Sequence, residues 1–454
     1  MVERTRAMGA LWARILGLIA AGMLLASPAV SGQAKPPPPN IVFFLCDDLG
    51  YGDLGCFGSK AIKTPHLDRL AAEGLRLTDY YAASPVCSPS RAGLMTGRNP
   101  NRLDIRDWIP ANSGIYLKPE EVTVAKLLKS AGYRTGLFGK WHLNSRFNGI
   151  EPTPGDHGFD DWLATQNNAA PTHQDPTNFV RNGKRAGPMQ GNSSTIVVDE
   201  AIRFIREAKD RPFAAFVTFH APHEQVAVPP EWSARYPNVD DPNRAIYYGS
   251  VSLVDHEVGR LTALLDELKL RENTLVTFTS DNGPETLKRY PAGVHSYGSP
   301  GPLRGMKLHV TEGGIRVPAI VRWPARIRPG RVSSEPVTGL DVLPTLCELA
   351  GVKPPSDRPL DGASFTPVFE GKGIRRSGPL YWQYDMALGE PWQVAVRQGP
   401  WKLLGSAKLD RFALYNLEAD PGEKQDLSAA HPDRVERLAG EMRRLYHEIN
   451  GRMP

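Results

Sequence analysis

Ile41-Val-Phe-Phe-Leu-Cys46, followed at once by Asp47-Asp48, decides the fold. A strand wet on one face alternates apolar and polar residues. This run does not alternate, so it reads as a strand buried on both faces, which is the habit of parallel sheets sandwiched between helices. Ligands of such sheets bind beyond the carboxyl ends of the strands. The two carboxylates therefore stand where chemistry is expected.

Working outward, the same unit recurs. Thr64–Gly74 reads as a helix, with Thr64 as cap, Pro65 at the first position and Gly74 as stop. A helix over Thr123–Ala131 precedes a strand over Tyr133–Phe138 that runs into Gly139-Lys-Trp-His-Leu143. Asp199–Lys209 is predicted helical and Phe213–Phe219 a strand ending at His220-Ala-Pro-His223. Tyr247–Leu270 has helical period. Thr274–Thr279 is a strand ending in Ser280-Asp-Asn-Gly283, and Val317–Val321 is another. Alternation of this kind predicts an α/β fold with a mostly parallel central sheet covered by helices on both faces. The tail differs. Trp392–Val396 and Trp401–Leu404 read as antiparallel strands joined through Gln398-Gly-Pro400, with Leu414–Leu417 as a further strand and Pro432–Ile449 as an amphipathic closing helix. The expected division is a signal peptide over 1–34, a Pro-rich linker over 35–39, a catalytic domain over 40–374 and a smaller α+β subdomain with an antiparallel sheet over 375–454.

Composition narrows the class. Of 454 residues, 41% are hydrophobic and 23% charged, which excludes a disordered or multi-span membrane chain. The 43 glycines and 41 prolines follow no fixed period, so they mark ordered loops and not collagen. A net charge of +5, spread along the chain, does not suit a nucleic-acid binder. Arg4, Arg6 and Arg14 precede an apolar run from Ile15 to Ala26, and small residues follow to Ala34. That order predicts a secretory signal and an exported protein, in a bacterial periplasm or secreted; a single membrane anchor is the alternative. No later segment is apolar enough to span. Cys46, Cys56, Cys87 and Cys347 are too few for a disulfide-built fold. Cys46 and Cys347 suit core packing, whereas Cys87 lies in the polar, turn-rich Ser84-Pro-Val-Cys-Ser-Pro-Ser-Arg91.

Four predicted strand ends carry polar groups: Asp47 with Asp48, Lys140 with His142, His220 with His223, and Asp281 with Asn282. Together they suggest one site. Two of these ends offer only oxygen, the donor set of Ca2+ or Mg2+; zinc sites usually recruit His or Cys. Adjacent residues of an extended strand face opposite ways, so each pair serves one ion only if the chain bends, with Gly50 and Gly283 as the expected bends. Cys87 is expected at a helix N-terminus, with Ser88 as cap and Pro89 at the first position, where backbone N–H groups favour an anion. Arg91 lies about one turn on. The residues alone allow a thiolate nucleophile or a capped helix with an incidental thiol.

Cys87-x-Pro-x-Arg91 followed by Ala-Gly-Leu-Met-Thr-Gly97 resembles the signature of the type I sulfatases. Pro39-Asn-Ile-Val-Phe-Phe with Asp47-Asp48-Leu-Gly-Tyr-Gly-Asp53, Gly139-Lys-Trp-His-Leu143, Ser280-Asp-Asn-Gly-Pro-Glu285, Arg304-Gly-Met-Lys307 and Glu312-Gly-Gly-Ile-Arg-Val-Pro318 follow in the family's order. The likeness covers Pro39 to Gly351 well and the tail weakly, and is to the arylsulfatase A and N-acetylgalactosamine-6-sulfatase branch. It implies an alkaline-phosphatase-like fold and hydrolysis of sulfate esters, with a sulfated carbohydrate as the substrate expected of an exported member.

The resemblance also implies roles. A maturation enzyme converts Cys87 to formylglycine, and one Ca2+ is held by Asp47, Asp48, Asp281 and Asn282 with the residue at position 87. Lys140 holds the hydrated aldehyde, activated by the metal and Asp281, and His142 is the base that releases sulfate. Lys307 and a histidine contact sulfate and help protonate the leaving oxygen; His223 is preferred to His220 for this. Three carboxylates, one Ca2+, Arg91, Lys140 and Lys307 leave a surplus of about +2 to face a sulfate ester. Asn167 or Asn168 lies where relatives place another polar contact, but reads as loop asparagine. Trp108, Trp141 and Trp162 are the tryptophans expected near the site, and Asp255 and Glu257 belong to a helix face. Specificity is expected in loops 102–115, 144–185 and 224–244. Competing readings are a phosphate or phosphonate monoester hydrolase of the same superfamily, and a non-catalytic sulfoglycan-binding protein should Cys87 stay unmodified.

Overall fold

Ile41, Phe43 and Leu45 of strand β1 (Asn40–Asp47) enter one hydrophobic core, and Val42, Phe44 and Cys46 enter a second on the opposite face. This is the two-sided burial that an unbroken apolar run requires. Phe44 stacks on Phe219 with centroids 6.0 Å apart, and Phe44→Ala would cost roughly 3–5 kcal/mol. The structure is a computed structural model that describes residues 38–289 and 293–454. The expected leader and most of the expected linker lie outside the described residues.

The remaining strands of the large sheet are β2 (Leu75–Tyr81), β3 (Arg134–Lys140), β4 (Asp161–Thr165), β5 (Val180–Arg181), β6 (Lys184–Arg185), β7 (Phe213–Pro222), β8 (Thr274–Ser280), β9 (Arg316–Arg322), β10 (Arg331–Ser333) and β11 (Val337–Thr338). Their order is β10-β2-β9-β8-β1-β7-β3-β4-β5-β6, with β11 also pairing β2. The run β8-β1-β7-β3-β4 is parallel throughout. Its strands therefore end on one edge, which collects Asp47, Lys140, His220 and Ser280. β9 is antiparallel to both neighbours.

Helices α1 (Pro65–Ala72), α2 (Cys87–Thr96), α3 (Val124–Ser130), α4 (Ser193–Ala208), α5 (Pro230–Ser233), α6 (Pro242–Glu267), α7 (Glu312–Ile315), α8 (Val342–Ala350) and α9 (Pro432–Asn450) complete the chain. Residues of α2, α3 and α8 share the core of Phe43, and residues of α1, α4 and α6 share that of Phe44. Thr123 caps α3 by accepting from Lys126 N at 3.2 Å. Asp255 and Glu257 are buried in packing: Asp255 accepts from His66 N and Leu67 N at the start of α1, and Glu257 accepts from Thr195. The helix expected from Asp199 begins at Ser193, where the Asn192 side chain accepts from Ser194 N.

The tail forms a four-stranded antiparallel sheet, β12 (Leu380–Gln383), β13 (Val394–Gln398), β14 (Trp401–Gly405) and β15 (Phe412–Asn416). One face packs on α9 through Leu438 and Met442. The other meets Tyr81, Val86 and Ile315, and Trp382 Nε1 donates to Ala82 O at 2.9 Å. Beneath it, Lys402 Nζ lies 2.8 Å from Glu312 and 2.9 Å from Glu423, all three side chains fully buried. No described helix is long and apolar enough to cross a membrane.

Candidate active site

The carboxyl edge of the parallel strands gathers the predicted groups. Asp47 ends β1, and Asp48 follows with φ 64°. That left-handed turn, rare for a side-chain-bearing residue, brings both carboxylates to one side. The bend thus lies in Asp48 itself and not in Gly50. Gly283 serves close approach: a Cβ there would lie 2.0 Å from Gly313 O.

Cys87 opens α2 with its side chain buried, at the helix end that attracts negative charge. Ser88 is not the cap. Its Oγ accepts from Ile109 N at 3.0 Å, and Val86 precedes the helix without a side-chain cap. Cys87 Sγ lies 3.5 Å from Asp47 Oδ1. Burial pushes its thiol up to about 12, with Lys140 and Lys307 opposing.

Arg91 braces this end of the helix. Its Nε and Nη2 each lie 2.8 Å from Asp281 Oδ2, and Nη1 donates to Lys140 O at 2.9 Å. One guanidinium thus ties α2 to the ends of β8 and β3. Lys140 Nζ lies 2.6 Å from Asp47 Oδ2, and Lys307 Nζ 2.7 Å from Asp48 Oδ2. Lys307 is held by its backbone N–H to Pro284 O at 2.9 Å, and its neighbour Leu308 N donates to Pro85 O at 2.8 Å. Burial raises the Asp47 carboxyl, but Lys140, His223 and Arg91 more than offset it and hold Asp47 well below the usual range. Burial pushes Asp281 up, against Arg91 and with Asp47. Burial also works against the Lys307 ammonium, yet Asp48 outweighs it and keeps that amine well above its usual value.

The histidines separate by environment. His142 has φ 55°, and its Nε2 lies 3.1 Å from Ile109 O. A carbonyl only accepts, so Nε2 carries the proton and Nδ1 the lone pair. That Nδ1 is buried with no partner among the described residues. Burial, then Lys140 and Arg91, depress the His142 pKa strongly. His223 Nδ1 donates to Glu224 O at 2.6 Å, and its Nε2 lies 3.6 Å from Asp48 Oδ2. His220 is fully buried behind the site, with Nε2 2.7 Å from Thr165 Oγ1. Of the pair, only His223 lines the pocket.

Asn168 joins the cluster, a residue that reads from sequence as loop. Its Oδ1 accepts from Lys140 Nζ at 3.3 Å, and its Nδ2 donates to Glu224 O at 2.7 Å. The signal was its placement just past β4, a parallel strand the sequence did not disclose. Trp108 lines the pocket, but Trp141 and Trp162 are buried in the core of Phe43.

Ligand atoms of Asp47, Asp48, Cys87 and His223 all lie within 4.8 Å of one another. Asn282 Nδ2 donates to Asp48 Oδ1 at 2.7 Å, while its Oδ1 is buried with no partner among the described residues. A buried acceptor without a donor is costly. Beside three carboxylates it fits a hard, oxygen-seeking cation. The pocket above has a volume of about 690 Å³, with Cys87, His142, His223 and Lys307 in its floor.

A mostly parallel sheet with cationic groups and an acidic cluster at its carboxyl edge defines a hydrolase for anionic esters of the alkaline-phosphatase-like class. Residues 39–352 match the family model described as Sulfatase, and residues 306–449 match N-sulphoglucosamine sulphohydrolase, C-terminal. The chain belongs to the sulfatase family. It is 36% identical to arylsulfatase A of Homo sapiens, over 89% of this chain and 86% of that protein. It is 36% identical to N-acetylgalactosamine-6-sulfatase of Canis lupus familiaris, over 82% and 73%. A crystal structure of Ps i-CgsB in complex with k-i-k-neocarrahexaose superposes with a TM-score of 0.81 at 30% identity, covering 91% of this chain and 93% of that one.

Proposed function

We propose that this sulfatase cleaves sulfate monoesters of carbohydrates with a formylglycine made from Cys87, a Ca2+ held by Asp47, Asp48, Asp281 and Asn282, and Arg91, Lys140, His142, His223 and Lys307 as working side chains. The observation that carries this is the seat of Cys87: buried at a helix N-terminus, 3.5 Å from Asp47 and within one donor cluster with Asp48 and His223. There Sγ would stand in for the oxygens of a formylglycine. When present, the hydrated aldehyde supplies two hydroxyls on one carbon, one to attack sulfur and one to allow sulfate to be expelled, and Ca2+ supplies Lewis acidity beside them.

The rest is work for this chain's own residues. Lys140 and Lys307 offer ammonium N–H groups to the sulfate oxygens, where negative charge builds as the S–O bond breaks. His223, anchored through Nδ1–H on Glu224 O, presents Nε2 to the pocket 3.6 Å from Asp48 Oδ2, and in its imidazolium form, which a bound sulfate would favour, it would donate the Nε2 proton to the leaving oxygen. His142 keeps its Nδ1 lone pair open to take a proton from the hydroxyl at position 87. Arg91 holds the helix that carries that hydroxyl. We infer further that residues 1–34 serve as an export leader and that residues 375–454 form a subdomain.

Mass spectrometry of the peptide containing position 87, after co-expression with a maturation enzyme, is expected to show an aldehyde where sulfur was encoded. Cys87→Ala is expected to abolish aryl sulfate turnover while leaving the fold intact. An intact thiol in fully active protein, or aryl phosphate hydrolysed in preference to aryl sulfate, would overturn the proposal.

A further inference from the structure

Residues 107–109 are pinned at the pocket mouth from three sides. Ser88 Oγ accepts from Ile109 N at 3.0 Å, Ile109 O accepts from His142 Nε2 at 3.1 Å, and Asp107 Oδ1 accepts from Trp108 N at 2.8 Å and from Tyr384 OH at 2.9 Å. Between these fixed points Trp108 keeps 45% of its surface exposed. A large indole held in water forgoes the burial that normally draws it inside, and such residues mark contact sites. Met386 and Leu388 add exposed apolar surface to the same mouth from the tail. Leu388 is fixed by its carbonyl, 2.8 Å from His309 Nε2.

The charge of this outer wall differs from that of the floor. Its acidic groups are Asp107 and Glu224, the latter buried with Oε2 2.9 Å from His295 Nδ1, and its Arg289 is ion-paired with Glu285. The wall therefore has no surplus of positive charge. Asp107 Oδ1 accepts two hydrogen bonds, while Oδ2 has no donor among the described residues.

We propose that Asp107, Trp108 and Tyr384 form the subsite for the alcohol half of the substrate, and that it takes an uncharged, hydroxyl-bearing ring: a neutral sugar with a single sulfate. The inference rests on the sulfatase reading above. The sugar's apolar C–H face lies on the indole, and a ring hydroxyl donates to Asp107 Oδ2. A second sulfate or a carboxylate beside Asp107 meets like charge. A wholly apolar alcohol strips water from that carboxylate and returns no donor.

The test uses mature, calcium-loaded enzyme and a panel of monosulfated hexoses and N-acetylhexosamines, their disulfated counterparts, a steroid sulfate and nitrophenyl sulfate. The highest kcat/KM among the natural esters is expected for a monosulfated sugar. Asp107→Asn keeps the shape of the side chain and removes its charge. It is expected to lower kcat/KM for that sugar about tenfold more than for nitrophenyl sulfate, which has no ring hydroxyl. Trp108→Ala should raise KM for the sugar, and Trp108→Phe should restore most of it. Preference for the disulfated sugar or the steroid sulfate, no turnover of any monosulfated sugar, or equal losses on sugar and nitrophenyl ester overturns this subsite while nitrophenyl sulfate turnover keeps the sulfatase reading standing. Absence of all sulfate ester turnover removes both.

Discussion

Lys140 Nζ lies 2.6 Å from Asp47 Oδ2, and neither side chain is exposed. Two opposite charges shut away from water hold each other, and removing one strands the other. Lys140→Met is expected to destabilise the metal-free protein by roughly 3–5 kcal/mol. Added calcium should recover more of the variant's melting temperature than of the wild type's, because the ion then neutralises Asp47. Thermal unfolding with and without calcium measures this, and equal calcium shifts in the two proteins would contradict it.

Arg91 contacts Asp281 through two nitrogens and Lys140 O through a third. Lysine places one ammonium where a planar fork is required. Arg91→Lys is therefore expected to lower kcat by about a hundredfold or more, with a smaller effect on KM, since the helix that carries position 87 loses its brace. Steady-state kinetics on an aryl sulfate decides it. A change confined to KM would place Arg91 in substrate binding instead.

Burial pushes the Asp255 carboxyl up to about 7, against the hydrogen bonds from Leu67 and His66. The folded chain then holds this proton more tightly than the unfolded chain does. Its stabilisation is full below the ordinary carboxyl pKa of about 4 and is lost as pH rises through about 7. Asp255→Asn should flatten that part of the profile. Denaturant midpoints measured across the weakly acidic range test it, and parallel profiles for the two proteins would refute it.

Lys402 sits between Glu312 and Glu423 with no exposure at any of the three. Lys402→Met leaves two buried carboxylates facing each other beneath the tail sheet, a change expected to cost roughly 3–5 kcal/mol. Chemical denaturation gives the number. A loss under about 1 kcal/mol, the range of exposed pairs, would show that water reaches the triad.

The sequence made the parallel core legible because unbroken apolar runs such as Ile41–Cys46 admit few other readings. It disclosed β9 but not its antiparallel direction, and it hid β2 and β4. Leu75–Tyr81 mixes Arg76, Thr78 and Asp79 among apolar residues, and Asp161–Thr165 is too short to show a period. The site was legible where motif residues sit at strand ends, as at Asp47, Lys140 and Asp281. Asn168 and Tyr384 were not, because their place depends on how separate loops meet. Ser88 misled: its sequence position suits a cap, but the neighbouring loop offers Ile109 N as a better-placed donor.

The hydrogen bond from Tyr384 to Asp107 joins two loops that are 277 residues apart in the chain. Exchanging either loop alone for a foreign sequence would strand a hydroxyl or a carboxylate, whereas grafting both as a set preserves the pairing. On the proposed subsite, retuning which alcohol this scaffold accepts is a two-cassette problem, and the strand-end residues proposed to meet the sulfate need not change with it.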